Sequence, residues 1–195
     1  MTSSAEFIAA IKVRDLVKAK EIADKYPWAV QACEPHNSQF SAVHLAVKKK
    51  DMELLEFLYT LKNVDFDMGD VDGERPLLYA VGSRSTSSLE MVKFLVEKGG
   101  ADIQSRSLKN EWSPIYVAAT LGNIETLKYM MSLGCDVNVM TAIKRTALTK
   151  VCWMGRVDSL KILLEHPQID LEHKANSDRT ALHMAVWGSY GGRHG

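Results

Sequence analysis

The strongest constraint on this chain is an internal repeat. Apolar residues in matching local contexts recur at Val43, Leu77, Ile115, Leu148 and Leu182. The intervals are 34, 38, 33 and 34 residues. A period in this range predicts a row of similar supersecondary units, each packed on its neighbours, in place of one globular core. Such a row carries its function on a surface more readily than in a catalytic cleft.

The local lines explain why each unit begins with a helix. They read Ser41–Val47, Arg75–Val81, Ser113–Ala119, Thr146–Cys152 and Thr180–Val186. Four of the five open with Ser or Thr, whose side chain accepts a bond from a free backbone N–H at a helix start. Pro76 and Pro114 stand at a first helical position, where a missing N–H costs nothing. The two small residues closing each line allow close helix packing. A second run follows each of the first four lines: Leu54–Leu58, Met91–Leu95, Thr126–Met130 and Leu160–Leu164. Its apolar residues fall at helical spacing. Three of these runs lead into turns, at Gly99–Ile103, Gly134–Asn138 and the looser Pro167–Leu171. Glycine after a helix is a common stop signal. The unit is therefore helix, short turn, helix, and a longer loop to the next cap.

These residues resemble the ankyrin repeat, whose pattern is Thr-Pro-Leu-His-x-Ala-Ala followed by Gly-Ala-Asp-Val-Asn. Thr180–Val186 and Gly134–Asn138 are similar to it, and the resemblance covers about residues 37–188. It implies an all-α solenoid of stacked helix-turn-helix units with β-hairpin finger loops. It also implies that the first helices line a concave side. The expected boundaries are an N-terminal capping helical pair at 1–36, repeats at 37–70, 71–108, 109–141 and 142–175, and a truncated repeat at 176–195. The unbroken register predicts one continuous array.

The ends and one insertion depart from the pattern. Ser3–Glu6 has capping-box spacing, and Phe7, Ala10, Leu16, Ala19 and Ile22 trace two helices without the signature line. Trp28, after Pro27, is expected to plug the turn beneath it. After Trp187 no second apolar run occurs, so the fifth unit's first helix is expected to keep an uncovered face, as in a fragment of a longer protein. That face makes self-association through the last repeat an expectation. Gly82–Ser88 is about three residues longer than its counterparts and reads as a tolerated loop insertion. Its Ser/Thr density and Arg84 would also suit a kinase.

Composition narrows the functional classes. Lysine and arginine number 24, matched by 24 acidic residues, so no global field draws the chain to nucleic acid or membrane. There is no long apolar run or signal segment. Cys33, Cys135 and Cys152 form an odd set at unrelated spacings, which points to reduced thiols and a cytoplasmic or nuclear setting. Cys33 and His36 are a close Cys/His pair with no second pair to complete a zinc site. His44 and His183 match the family's structural histidine. No group of residues assembles an acid, a base and an oxyanion donor, so no enzyme activity, cofactor or metal is expected.

The resemblance implies that partners are met by finger tips and by exposed places after the two small residues. Unit by unit these are Asn37, Ser38, Phe40, Lys48 and Lys49; Val71, Asp72, Glu74, Gly82 and Ser83; Lys109, Asn110, Trp112, Thr120 and Leu121; Ala142, Ile143, Arg145, Trp153 and Met154; Asn176, Ser177, Arg179, Trp187 and Gly188. The sharpest candidates are Lys109, Trp112, Leu121, Ile143, Arg145, Trp153, Met154, Arg179 and Trp187. Tryptophan and arginine are the residues most enriched at binding hot spots. The expectation is an aromatic floor with Arg145 and Arg179 at its rim, facing a protein or peptide that bears acidic groups. Two alternatives stand beside this docking module. One is a substrate-recruiting region of an enzyme whose catalytic part lies C-terminal to this chain. The other is nucleic-acid binding through Lys109, Arg145, Arg179 and Arg193 with stacking tryptophans.

Overall fold

The computed structural model describes residues 2–34, 39–83, 88–175 and 178–191. His36, Asn37, Ser38, Asn176, Ser177, Arg193 and positions 84–87 of the insertion lie outside the described residues. The chain divides into two compact units, residues 1–102 and 103–195.

In the first unit, α1 (Thr2–Val13) and α2 (Leu16–Lys25) pack on each other and on a 3-10 helix at Pro27–Gln31. Phe7, Ala10, Ala19 and Ile22 are buried between them. Ser3 lies inside α1 and does not cap it, because the helix already begins at Thr2. Two helical pairs follow: α3 (Ala42–Lys49) with α4 (Met52–Thr60), and α5 (Pro76–Gly82) with α6 (Ser88–Glu97). In the second unit, α7 (Pro114–Leu121) pairs with α8 (Ile124–Ser132), and α9 (Ala147–Met154) with α10 (Val157–Leu164). α11 (Ala181–Gly191) packs on α9.

The first helices start where the capping chemistry demands. Ser41, Ser113 and Thr146 accept bonds from the backbone N–H three residues on. Arg75 makes no such bond, and Pro76 at the first helical position serves in its place. The second helix of the first pair begins at Asp51, whose carboxylate accepts from Leu54 N at 3.0 Å. Val43, Leu77, Ile115 and Leu148 are all essentially fully buried. The small residues Ala46, Ala80, Ala118 and Ala119 are inaccessible beside them, which brings neighbouring helices close. Gly134, at φ +77°, makes the left-handed step after α8 that an L side chain would resist.

Two expectations change. The expected β-hairpins are reduced to little: no named strand occurs among the described residues, and isolated bridges join Cys33 to Ser41 and Ala175 to Arg179. Their short loops are closed by single pairs such as Asp70 N to Glu74 O and Thr141 N to Arg145 O, too few to make a ladder. Trp28 does not plug its turn. It is 56% exposed, its ring 6.0 Å from Tyr26, while Ala29 and Val30 are the buried residues of this turn. Leu182, in register with four buried anchors, is 75% exposed, because no helix among the described residues covers that side of α11.

Candidate functional site

Neighbouring fingers in the second unit are tied to one another. Ala142 N donates to Asn110 O at 3.0 Å, Arg106 bonds Met140 O and Glu111, and His173 Nε2 meets Lys144 O at 2.8 Å. Asn138 Nδ2 donates to Gln168 O at 2.7 Å. Contact residues on these loops are thereby held before any partner arrives.

The three candidate tryptophans of this unit are all partly exposed. Trp112 and Trp153 are each 39% exposed, and Trp187 is 48%. Lys109, Ile143 and Met154 are exposed as well, and Leu121 is half-buried. Trp112 lies just before α7, Trp153 on α9 and Trp187 on α11, three successive first helices. Between them, α7 packs on α9 and α9 on α11.

The cations do not form a rim beside the rings. They lie over them. The Arg179 guanidinium carbon is 3.6 Å from the Trp187 ring centroid, and that of Arg145 is 5.6 Å from Trp153. Lys150, absent from the sequence-derived set, places Nζ 4.1 Å from the Trp153 centroid. The negative face of an indole attracts a cation, and a guanidinium can stack flat on it. In both units of this type the finger cation precedes the tryptophan by eight residues. The first repeat uses the same spacing with the roles exchanged, Lys48 Nζ lying 3.8 Å from the Phe40 centroid. The signal was present in the sequence as an aromatic-to-cation spacing, but only the fold shows that it joins a finger to a helix.

Three other candidate contacts change character. Phe40 is buried under Lys48 and against His44 and Tyr79. Thr120 is buried, its hydroxyl donating to Val117 O at 3.1 Å. Gly188 faces the Trp153 carbonyl so closely that a Cβ there would collide with it. All three are packing positions, because the neighbouring helix or side chain occupies the space a partner would need.

The histidine positions are structural. His44 is inaccessible. Its Nδ1 accepts from Ser41 N at 3.2 Å, so Nε2 carries the proton and donates to Glu74 O at 3.0 Å. Burial pushes its pKa below the ordinary 6.5. Tyr79 donates to Asp70 at 2.7 Å, and Asp70 also accepts from Asp72 N and Glu74 N, which shapes the second finger. His183 repeats the cap contact with Thr180 Oγ1 at 2.8 Å. Arg179, Leu182, His183, Val186 and Trp187 line an open, largely apolar hollow on α11. Among the described residues no cluster of His, Cys, Asp or Glu has the makeup of a metal site.

Known proteins share this architecture. A family model described as ankyrin repeats in three copies matches residues 16–107, 43–141 and 115–192. The chain is 26% identical over 148 residues to the E3 ubiquitin-protein ligase KEG of Arabidopsis thaliana, covering 75% of this chain and 9% of the ligase. It is 24% identical over 142 residues to the ankyrin repeat protein nuc-2 of Neurospora crassa, covering 73% of this chain and 12% of that protein. A putative ankyrin repeat protein of Rickettsia felis is 32% identical over 114 residues, covering 58% of this chain and 26% of that protein. The chain thus spans only 9%, 8% and 12% of the first three curated relatives it matches. With the periodic anchors buried, the caps formed and the family model matching along nearly the whole length, this chain belongs to the ankyrin-repeat family.

Proposed function

We propose that this chain is a non-catalytic docking module that recognises a protein or peptide through its third to fifth repeats. The carrying observation is the pair of exposed indoles, Trp153 and Trp187, each within cation–π distance of an arginine from its own finger. A tryptophan kept half in water loses that unfavourable exposure when a partner covers it. The guanidinium keeps its N–H donors for a carboxylate. Tied fingers reduce the ordering cost of association. Ankyrin repeats as a family are interaction modules, which fits this surface. The odd number of cysteines at unrelated spacings, Cys33, Cys135 and Cys152, supports an intracellular setting.

The test is retention of partners by wild-type protein and by Trp153→Ala, read by quantitative mass spectrometry and then by calorimetry with the retained protein. A hot-spot tryptophan should cost about 2 kcal/mol or more of binding. Thermal unfolding should change much less, since the ring is outside the inter-helix core. Undiminished binding, or loss of the fold on Trp153→Ala, would remove this assignment.

A second reading is favoured by the comparison with the ubiquitin ligase, of which this match covers a small part. In that reading the repeats recruit substrate to a catalytic region elsewhere in a longer protein. A catalytic motif in adjoining sequence would support it. Nucleic-acid binding has less support, given the balanced charge, and would reveal itself by a steep salt dependence.

A further inference from the structure

Lys150 breaks the repeat. The position two residues before the closing small pair's second member holds Leu45, Tyr79, Val117 and Met184 in the other four units. Leu45, Val117 and Met184 are buried there, and Tyr79 is half-buried. The fourth unit alone puts a cation at this apolar position. The side chain is half-buried and its Nζ rests on the Trp153 ring. Arg145 lies over the same ring from the finger side. Among the described residues neither cation has a carboxylate within ion-pair distance, the ion pair of this unit joining Arg106 to Glu111. Burial depresses the Lys150 pKa, and the like charge of Arg145 depresses it further. The chain therefore holds two cations together on one indole, partly out of water, with no counter-charge paired to either among the described residues. For stability alone, an apolar residue such as the Met184 of the next unit serves better.

We propose that Arg145, Lys150 and Trp153 form an anion subsite that captures the carboxylate of a glutamate or aspartate side chain on a partner peptide, with Ile143 and Met154 receiving the apolar residues beside it. The proposal rests on the docking reading above and names the chemistry of its partner. A carboxylate between the two cations would cancel their repulsion. It would accept from the Arg145 guanidinium and from the Lys150 ammonium together. The exposed side chains of Ile143 and Met154 flank the subsite on the same finger and helix.

The experiment uses the whole chain and two fluorescein-labelled 12-residue peptides. One carries three Glu-Leu pairs separated by Gly-Ser, and its counterpart has Gln at each Glu. Fluorescence anisotropy at low ionic strength should show the Glu peptide binding about tenfold tighter than the Gln peptide. Lys150→Met should weaken the Glu peptide about tenfold and so remove that preference. The same substitution should raise the thermal midpoint, by about 2 °C or more, because it relieves desolvation and repulsion while keeping contact with the indole. A merely structural lysine would lower the midpoint when replaced, and that result overturns the proposal. Equal affinity of the Glu and Gln peptides also overturns it but leaves the docking reading intact. Failure of both peptides to bind overturns it together with the assignment of this face as peptide-binding. A phosphoserine peptide of the same design binding more than about tenfold tighter than the Glu peptide would replace the carboxylate with a phosphate.

Discussion

Leu148 and Leu182 occupy the same place in the repeat, yet one is 1% exposed and the other 75%. Both follow a threonine and an alanine, and both sit in the first turn of a helix. Leu148 joins Cys152, Ala181 and Met184 in one apolar cluster, with Leu160, Ile169 and Ala185 packed on it. The cluster draws on α9, α10 and α11 together. α11 packs on α9 by its Ala181 and Met184 side, while Leu182, Val186 and Trp187 look the other way. In a repeat array, a residue's burial is a property of the neighbouring unit, since each unit covers only one side of the next.

The comparison breaks most sharply under truncation of the two leucines. Leu148→Ala should cost about 3 kcal/mol, a buried leucine with little room to relax. Leu182→Ala should cost well under about 1 kcal/mol, as for an exposed position. Urea denaturation of both variants measures the difference, and similar costs would mean that Leu182 is covered in solution, by self-association or otherwise.

A second prediction concerns the contact that holds α11 to α9. Gly188→Ala adds a methyl group where the Trp153 carbonyl stands. Alanine would favour the helix by about 1 kcal/mol, but the collision should win and loosen α11 by about 1–2 kcal/mol net. Hydrogen exchange reads this directly. In the wild type, amides of α11 should open at lower free energy than those of α7 and α9, and in Gly188→Ala the gap should widen. Equal protection of α11 and α9 would contradict the picture.

The smallest expected effect concerns His44. His44 is buried with a lowered pKa, so the unfolded chain binds its proton more readily than the folded one. Its contribution is present above the unfolded value of 6.5 and is lost as pH falls below that value toward the folded one. Protonation at Nδ1 would also oppose the bond from Ser41 N. Stability should therefore fall by about 1 kcal/mol on lowering pH from about 7.5 to about 5 through this group. The part due to His44 should vanish in His44→Gln, and an unchanged pH slope in that variant would exclude it as the source.

Much of this was legible before any coordinates. Ser41, Ser113 and Thr146 announce helix starts, and Pro76 and Pro114 mark first helical positions, because capping is a local matter of a few bonds. Val43, Leu77, Ile115 and Leu148 declare a core by recurrence. The exposed tryptophans were also found from register. Trp28 was misread, because a proline-tryptophan turn does not reveal that Ala29 and Val30 are its buried residues. Phe40 and Thr120 were misread for a similar reason: finger and helix positions in this family are exposed or buried according to the side chain facing them. Lys150 went unnoticed, since a lysine on a helix is ordinary until its equivalents in the other units are seen to be buried.

By itself, the sequence determined the unit, its period, its helix caps and the identity of the residue at each repeat position. Those properties depend on hydrogen bonds and spacings within about 35 residues, as repeat units do. Only the tertiary structure decided which copy of a position is covered, which finger cation lies on which indole, and that Arg145 and Lys150 share Trp153. Burial and cation–aromatic contact depend on distances between helices and loops that local pattern does not encode, so identical motifs at Leu148 and Leu182 reach opposite environments.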